Sequence, residues 1–435
     1  MGSDLEKLQV DKWSKCGMID QETLVFYWEY EGKRSSHMNE DAIIYLDHAA
    51  TTSLAPEVYE AMKPYFSEKF YNAASLYAPA QEVHAVLDDA RQTLADLLGA
   101  EASNEIYFTG GGSESDNWAI KGVASAYREK GRHIITSKIE HHAVLRTMEY
   151  LETLGYQVTY LSVDERGMVS LEELEQAIRE DTILISIMTA NNEIGTIEPI
   201  QEIGRIAQEH GVLFHTDAVQ AFGHIPVNVR QAHVDLLSIS AHKFRGPKGV
   251  GALYIRNGVS IDPLIHGGAQ ERSKRAGTHN LAGIVGMVKA AQRAVSQQEM
   301  QSRRQKKLRD DMIERLEKEI EFVTINGNRI DRLANNINVS FSFIEGDTLL
   351  ILLDQMGICV SAGSACTSGS PKPSHVLLAI GLTKEQVHSS IRISLGEETT
   401  KEELDRTVEV LKEKVALLRK MSPLYQEYCK KKEHS

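Results

Sequence analysis

The chain has 435 residues, of which 42% are hydrophobic and 25% are charged, a balance that is ordinary for a soluble globular protein. Its formal net charge of -13 argues against a nucleic-acid binder, which needs a basic face to displace counterions from phosphates. The sequence predicts neither a membrane span nor export, because it has no uninterrupted apolar run of about 18 residues and no signal-peptide core.

Residues 1–40 differ from the rest of the chain in their pattern of apolar residues. They contain Trp13 and Trp28 without a clear apolar period, and residues 35–38 resemble a vector junction placed before a native start at Met38. We therefore interpret this segment as appended sequence and leave it out of the fold prediction. A natural extension that packs on the surface is the alternative.

From residue 41 to about residue 280, short apolar runs alternate with amphipathic stretches. The stretches between the runs, such as residues 171–178 and 200–210, have the apolar spacing of helices. This alternation predicts a large α/β domain with a mostly parallel sheet that is flanked by helices. The apolar runs are residues 133–136, 183–188, 212–216, 236–240 and 251–255.

Residues 281–435 predict a smaller second domain of α+β type, introduced by a long linking helix at residues 281 to about 320. Strand-like runs at residues 336–342 and 390–395 bracket helical segments, and a final helix is expected at about residues 401–420. The lysine-rich end at residues 430–432 is expected to be a frayed, solvated tail.

A glycine turn follows the strand predicted at residues 106–109. Gly110, Gly111 and Gly112 lead into a helical pattern that begins with Ser113. Glycines let the backbone approach an anion closely, and the start of a helix offers free N–H groups. The spacing matches neither a dinucleotide fingerprint nor a P-loop. A phosphate cradle is one interpretation of this turn, and an ordinary loop is the other.

Two chemically reactive side chains follow neighbouring predicted strands. Lys243 comes just after the run at residues 236–240, where desolvation would lower the pKa of its amine and make it a nucleophile. Asp217 ends the run at residues 212–216, where its carboxylate could keep a pyridinium nitrogen protonated. Ligands gather at such strand ends, so the two positions support each other. The alternatives are an exposed lysine and a helix-capping aspartate.

Adjacent histidines, His141 and His142, follow the strand predicted at residues 133–136. His141 could stack on a planar cofactor. Metal binding by the pair is disfavoured, because neighbouring positions on a helix face different directions and the cysteines are distant in the sequence.

Cys366 differs from the other cysteines of the chain. The four cysteines make no disulfide framework, which predicts free thiols in a reducing cytoplasm. Cys359 lies between the bulky Ile358 and Val360, whereas Cys366 lies among Ser, Ala, Gly and Thr. We therefore predict that Cys366 is an exposed and reactive thiol on a loop that can move towards a ligand.

Arg392 lies within the apolar alternation of the strand predicted at residues 390–395. An arginine inside a strand needs an anion, and bidentate binding of a substrate carboxylate is the functional interpretation. An internal salt bridge is the alternative.

Six segments, which include Asp217, Lys243 and Cys366, occur in the order and spacing of a known family. The set resembles the NifS/IscS-type cysteine desulfurases, fold-type I enzymes that use pyridoxal 5'-phosphate (PLP). The long Ser- and Gly-rich segment around Cys366 is similar to that of the first group of the family. The resemblance extends over about residues 43–428, and its segments are residues 45–52, 113–117, 191–195, 217–220, 240–243 and 363–368.

The resemblance implies a role for each matching residue. Lys243 would carry the PLP and act as the catalytic base, Asp217 would pair with the ring nitrogen, and His141 would stack on the ring. Arg392 and Asn192 would bind the substrate carboxylate. The remaining cofactor contacts would come from Asn192, Gln220, Gly112, Ser113, Ser240, His242 and, from the other subunit of a homodimer, Thr278.

The resemblance also implies the reaction. L-Cysteine would become L-alanine, and its sulfur would form a persulfide on Cys366 before it passes to an acceptor in iron–sulfur cluster assembly or tRNA thiolation. Because the attacking group is a thiolate, we expect a nearby positive charge in the closed state, such as a protonated His141. The alternatives are a selenocysteine lyase, a class V aminotransferase and a non-catalytic sulfur-relay or scaffold-binding protein.

Overall fold

The computed structural model describes residues 43–362 and 373–433, so residues 1–40 and Cys366 lie outside the described residues. No helix within the described ranges is both long enough and apolar enough to cross a bilayer. The strands are β1 (Ile44–Tyr45), β2 (Ile106–Thr109), β3 (His133–Ser137), β4 (Gln157–Leu161), β5 (Thr182–Ser186), β6 (Leu213–Asp217), β7 (Leu236–Ser240), β8 (Gly251–Ile255), β9 (Val323–Ile325), β10 (Asn336–Phe341), β11 (Ile358–Cys359), β12 (Ser361–Ala362) and β13 (Ser390–Ser394). The helices are α1 (Pro56–Met62), α2 (Pro64–Ser67), α3 (Ala78–Leu98), α4 (Gly112–Ala126), α5 (His142–Thr153), α6 (Leu171–Ala177), α7 (Ile200–Glu209), α8 (Leu281–Glu319), α9 (Gly346–Gln355), α10 (His375–Ala379), α11 (Lys384–His388), α12 (Lys401–Met421) and α13 (Pro423–Glu433).

A seven-stranded sheet in the order β2-β8-β7-β6-β5-β3-β4 organises the first part of the fold. The strands from β7 to β4 pair in parallel, and only β8 runs antiparallel to its two neighbours, β2 and β7. Strands β5 and β7 are buried along their whole length, as expected when helices cover both faces of a parallel sheet. The predicted α/β fold with a mostly parallel sheet is therefore confirmed.

A second, four-stranded antiparallel sheet has the order β12-β13-β10-β9. Its apolar side chains, among them Ile337, Val339 and Ile391, are fully buried in a hydrophobic cluster of their own. Helix α8 contributes its first half to the cluster around the large sheet and its second half to this one. The domain boundary expected near residue 280 stays a prediction, because this helix belongs to both clusters.

The C-terminal segment is more ordered than the sequence suggested. Residues 423–433 form helix α13, so the expectation of a frayed tail at residues 430–432 is wrong, although these lysines are exposed. Aromatic contacts account for the helix: Tyr428 lies 5.3 Å from Phe322 and Tyr425 lies 5.6 Å from Phe343, between ring centroids. Such contacts contribute beyond the area that they bury.

A buried ion pair joins helix α3 to the segment that follows β8. Arg91 donates two hydrogen bonds to Glu271, at 2.8 and 2.9 Å, and the two side chains are only 8% and 1% exposed. The carboxylate also accepts from the backbone N–H of Phe108 at 3.0 Å. Burial alone would raise the pKa of Glu271, but the hydrogen bonds from His279 and Arg91 outweigh it and lower that pKa to about 2.

We expect the Glu271→Gln variant to lose about 3–5 kcal/mol of unfolding free energy, because the Arg91 guanidinium then stays buried without a counter-charge. Since the folded pKa of Glu271 is depressed, its stabilisation is present above the ordinary value of 4.5 and disappears as the pH falls towards 2. Denaturant unfolding at several pH values measures both effects. Glu317, whose pair with Arg329 is partly exposed, is the control, and Glu317→Gln should cost far less. Equal losses in the two variants would contradict this account.

Candidate active site

Lys243 lies directly after β7, in a short turn that spans Ala241–Lys243. Its Nζ atom donates to the carbonyl oxygens of Ala49 at 2.6 Å and Ala50 at 2.8 Å. Burial, with the positive charge of Arg392, lowers the pKa of Lys243 to about 8. At neutral pH a much larger fraction of this amine is uncharged than in an exposed lysine, which suits a nucleophile or a base.

Asp217 ends β6, the strand that pairs in parallel with β7, and lies opposite Ser238 in the register. Its Oδ1 accepts from the backbone N–H of Val219 at 2.9 Å, so the local capping role that was the alternative is also present. Burial raises the pKa of Asp217 to about 6, while the Val219 N–H and the charge of Lys243 act in the opposite direction. The structure thus brings Asp217 and Lys243 together at the carboxyl ends of adjacent strands.

Behind Asp217 lies a buried polar network that sequence reasoning missed. The His215 ring contacts Ser186 Oγ at 2.9 Å and Ser238 Oγ at 3.0 Å, and its Nε2 lies 3.7 Å from Asp116 Oδ1. Burial raises the pKa of Asp116 well above its ordinary range, with the nearby Asp217 adding to the shift, and lowers the pKa of His215 to about 3. Burial and the neighbouring carboxylate of Asp217 therefore both disfavour a charged Asp116.

The glycine turn packs against the ends of β6 and β7. Helix α4 begins at Gly112, and its N-cap, Gly111, has φ 150°, a backbone conformation that favours glycine. A Cβ atom at Gly112 would lie 2.6 Å from Val219 Cγ2, and one at Gly111 would lie 3.8 Å from Ser240 Oγ. The first turn of α4, with the exposed Ser113, therefore offers unpaired N–H groups beside β7, as a phosphate site requires.

His141 is the N-cap of α5, and its Nδ1 accepts from the backbone N–H of Ala143 at 3.1 Å. The side chain is exposed, yet the surrounding protein removes enough water that burial, with the charge of Lys243, lowers the pKa of His141 to about 4. His141 is therefore neutral near pH 7. A neutral ring suits stacking, and a protonated His141 in the closed state stays a prediction.

Two further predicted residues contact the segment at residues 49–52. The Gln220 side chain donates from Nε2 to the carbonyl oxygen of Ala49 at 2.9 Å, the same oxygen that Lys243 contacts. The His242 ring lies 3.1 Å, through Nδ1, from Thr51 Oγ1. The segment at residues 49–52 therefore contacts Gln220, His242 and Lys243. This explains why residues 45–52 are one of the six segments shared with the family.

Arg392 is buried in β13, with only 4% of its surface exposed. Its Nη2 donates to Asp47 Oδ1 at 2.8 Å, and its Nη1 donates to the carbonyl oxygen of Asn192 at 3.1 Å. The Nε atom is buried and has no hydrogen-bond partner within residues 43–362 and 373–433. The structure therefore shows the internal salt bridge that was the alternative, and it places Arg392 beside Asn192, the other predicted carboxylate contact.

Thr278 and Cys366 are the predicted residues whose roles the structure does not address. Thr278 is exposed on a loop that Arg275 anchors to Glu114 of α4, with Nε and Oε1 2.8 Å apart. A contact of Thr278 with a second subunit stays a prediction. Cys366 lies within residues 363–372, outside the described part of the chain, so its exposure and reactivity stay predictions as well.

Comparison with known proteins identifies the family. The Aminotransferase class-V family model matches residues 44–407. A protein named cysteine desulfurase IscS, from Methanosarcina thermophila, is 57% identical over 394 residues, which are 91% of this chain and 96% of that protein. The chain belongs to the NifS/IscS-type cysteine desulfurase family.

Solved structures of similar proteins agree with this family assignment. A structure titled NifS-like protein matches with a TM-score of 0.82 and 42% identity, over 87% of this chain and all of that one (100%). A structure titled SspA in complex with cysteine matches with a TM-score of 0.73 and 39% identity, over 82% of this chain and 100% of that one. The fold is therefore that of the fold-type I PLP enzymes.

PLP is the cofactor of this family, and the residues of the site fit its chemical groups. When bound, it supplies an electron sink for negative charge on the substrate Cα atom. The glycine turn leaves no room for a side chain at Gly112 and presents N–H groups, as a phosphate needs. Asp217 offers a buried carboxylate to a protonated ring nitrogen, and Lys243 offers an amine with a pKa of about 8.

Proposed function

We propose that the protein removes the sulfur atom of L-cysteine, releases L-alanine and holds the sulfur as a persulfide on Cys366. The observation that carries the proposal is the Lys243 amine, with its lowered pKa, beside the buried carboxylate of Asp217. Membership of the family and the likeness to a protein solved in complex with cysteine support the choice of substrate.

Different residues of the site transfer the proton and position the substrate. Lys243 would hold the cofactor and would take the proton from the substrate Cα atom. Asp217, fixed by the Val219 N–H, keeps the ring nitrogen protonated. Arg392 and Asn192 would orient the substrate carboxylate, and the His141 ring would stack on the cofactor.

Sulfur transfer requires the Cys366 thiolate. Its sulfur attacks the substrate sulfur, so that an S–S bond forms while the Cβ–S bond breaks. The electron pair of the broken bond returns to the substrate, which takes up one proton at Cβ, regains at Cα the proton that Lys243 removed, and leaves as alanine. A thiol of an acceptor protein then removes the outer sulfur, which serves iron–sulfur cluster assembly or tRNA thiolation.

Product analysis tests the proposed function. The holoenzyme, incubated with L-cysteine and a thiol reductant, should release L-alanine and sulfide in equal amounts. Formation of a keto acid without sulfide would instead indicate an aminotransferase, and no turnover at all would indicate a protein that keeps only the fold. A parallel assay with L-selenocysteine separates a desulfurase from a selenocysteine lyase that ignores cysteine.

The pKa of Lys243 gives a prediction for the apoprotein. Only the uncharged amine attacks the PLP aldehyde, so the rate of covalent attachment should rise about tenfold per pH unit and level off above about pH 8. Stopped-flow absorbance with apoprotein and PLP measures this profile. A rate that still rises steeply up to about pH 10 would show that Lys243 has the pKa of an ordinary lysine.

We further propose a homodimer in which Thr278 of one subunit reaches the phosphate side of the other site. Apolar side chains exposed close together in the sequence support an interface, with Phe66 and Phe70 each 64% exposed and Leu76 93% exposed. Sedimentation velocity should show a dimer, and Phe70→Asp should shift it towards monomer. Ile330, which is 86% exposed elsewhere, supplies the control Ile330→Asp. An active wild-type monomer would refute the proposal.

A further inference from the structure

The guanidinium of Arg392 is already neutralised by a carboxylate of the same chain. Its partner is Asp47 Oδ1 at 2.8 Å, whereas its second contact, the carbonyl oxygen of Asn192 at 3.1 Å, is uncharged. The side chains of Arg392 and Asp47 are 5% and 18% exposed. A charge buried to this degree needs a counter-charge, and Asp47 supplies it.

Asp47 is held in place by its backbone and lies close to the reacting amine. It follows β1 and forms a bridge with Ser394 of β13, and its carbonyl oxygen accepts from the Tyr45 hydroxyl at 3.1 Å. The charges of Asp47 and Arg392 both act on Lys243, in opposite directions. The Asp47 carboxylate is therefore the anion that Arg392 binds in this structure, and it lies on the segment whose next residues contact the Lys243 amine.

The Nε atom of Arg392 is a further donor that could bind a carboxylate. Its Nε atom is buried and has no partner among the described residues, although a planar guanidinium can bind a carboxylate through two parallel N–H groups. Asp47 accepts from a single nitrogen, Nη2. A substrate carboxylate could accept from both Nε and an Nη atom. This two-point contact differs from the single contact that Asp47 makes.

We propose that Asp47 determines specificity by competing with the substrate carboxylate for Arg392. This inference rests on the proposed function, in which Arg392 binds the carboxylate of L-cysteine. Asp47 keeps the empty site neutral, so that only a ligand with its own carboxylate can offset the lost ion pair. When alanine leaves, Asp47 pairs with Arg392 again and so promotes product release.

The Asp47→Asn variant tests the competition. Because the rival charge is gone, the Kd for L-alanine measured by calorimetry on the holoenzyme should fall about tenfold, which corresponds to about 1.4 kcal/mol. The KM for L-cysteine should fall with it, and kcat should fall because alanine leaves more slowly. Binding of L-alaninamide, which has no carboxylate, should not tighten.

The control variant is Asp405→Asn, because Asp405 pairs with Arg315 at the surface. In this variant the Kd for L-alanine and the KM and kcat for L-cysteine should keep their wild-type values.

Thermal unfolding gives a measurement that does not depend on turnover. Asp47→Asn leaves Arg392 without a counter-charge, so its Tm should fall, and propionate should raise the Tm of the variant more than that of the wild type. Asp47→Ser should behave in the same way if the first variant folds poorly. An unchanged or weaker affinity for L-alanine, with no added response to propionate, would overturn the inference. Absence of alanine production by the wild type would defeat only the proposed function, because propionate and alanine binding still report on Asp47.

Discussion

Lys243→Ala is expected to abolish covalent attachment of PLP and to slow the turnover of L-cysteine by about 10⁴-fold or more. Lys243 provides the only amine that the structure places at the end of β7 beside Asp217, within the described residues. The variant should still bind PLP without a covalent bond, because the glycine turn and Asp217 remain. Absorbance spectra, steady-state assays and borohydride reduction followed by peptide mass spectrometry measure these effects.

The matched control for this experiment is Lys289→Ala, which removes an exposed lysine from helix α8. This variant should keep the spectrum and the turnover of the wild type. If borohydride instead fixed PLP to another lysine of the Lys243→Ala protein, and that protein still turned over L-cysteine, the assignment of Lys243 would be wrong.

Cys366→Ser should leave PLP binding and the spectral response to L-cysteine intact but reduce sulfide formation on the order of 10³-fold or more. The reason is chemical: a serine hydroxyl cannot form a stable persulfide. Mass spectrometry of the wild type, after L-cysteine and before any reductant, should find one added sulfur on the peptide that contains Cys366.

Cys359→Ser is the control for this second experiment. Cys359 is half-buried, and burial together with the charges of Asp354 and Asp47 raises the pKa of its thiol, so little thiolate is available there. The control should keep full activity. Sulfur found only on Cys359 or Cys429, or wild-type turnover of L-cysteine by Cys366→Ser, would overturn the role of Cys366. Activity that survived only towards selenocysteine would not, because selenium is the easier leaving group.

The fold and the position of the site could be predicted because both depend on local patterns. Short apolar runs that alternate with helical spacing predict a parallel sheet, and the carboxyl ends of its strands meet at one edge. Asp217 and Lys243 each follow such a run, so their proximity in the structure was foreseeable from the sequence. The glycine turn was recognisable for the same reason, since β2 and α4 are consecutive.

The contacts that could not be predicted join residues far apart in the sequence. Asp47 and Arg392 are separated by 345 positions, and no local pattern indicates that a carboxylate lies opposite this arginine. The network of Asp116 and His215 depends likewise on how α4 packs against β6 and β7. The C-terminal helix was missed because its lysines dominate the pattern, whereas the aromatic partners of Tyr425 and Tyr428, Phe343 and Phe322, lie far earlier in the chain.

Helix α8 has a consequence for how the two halves of the site are held relative to each other. It is one continuous helix of 39 residues, which at about 1.5 Å per residue is about 58 Å long. Its first half packs in the core of the seven-stranded sheet and its second half in the core of the four-stranded sheet, so a single helix joins the two cores. Lys243 directly follows a strand of the first sheet and Arg392 lies in a strand of the second. A proline that breaks α8 near its middle should therefore disturb the position of one side chain relative to the other.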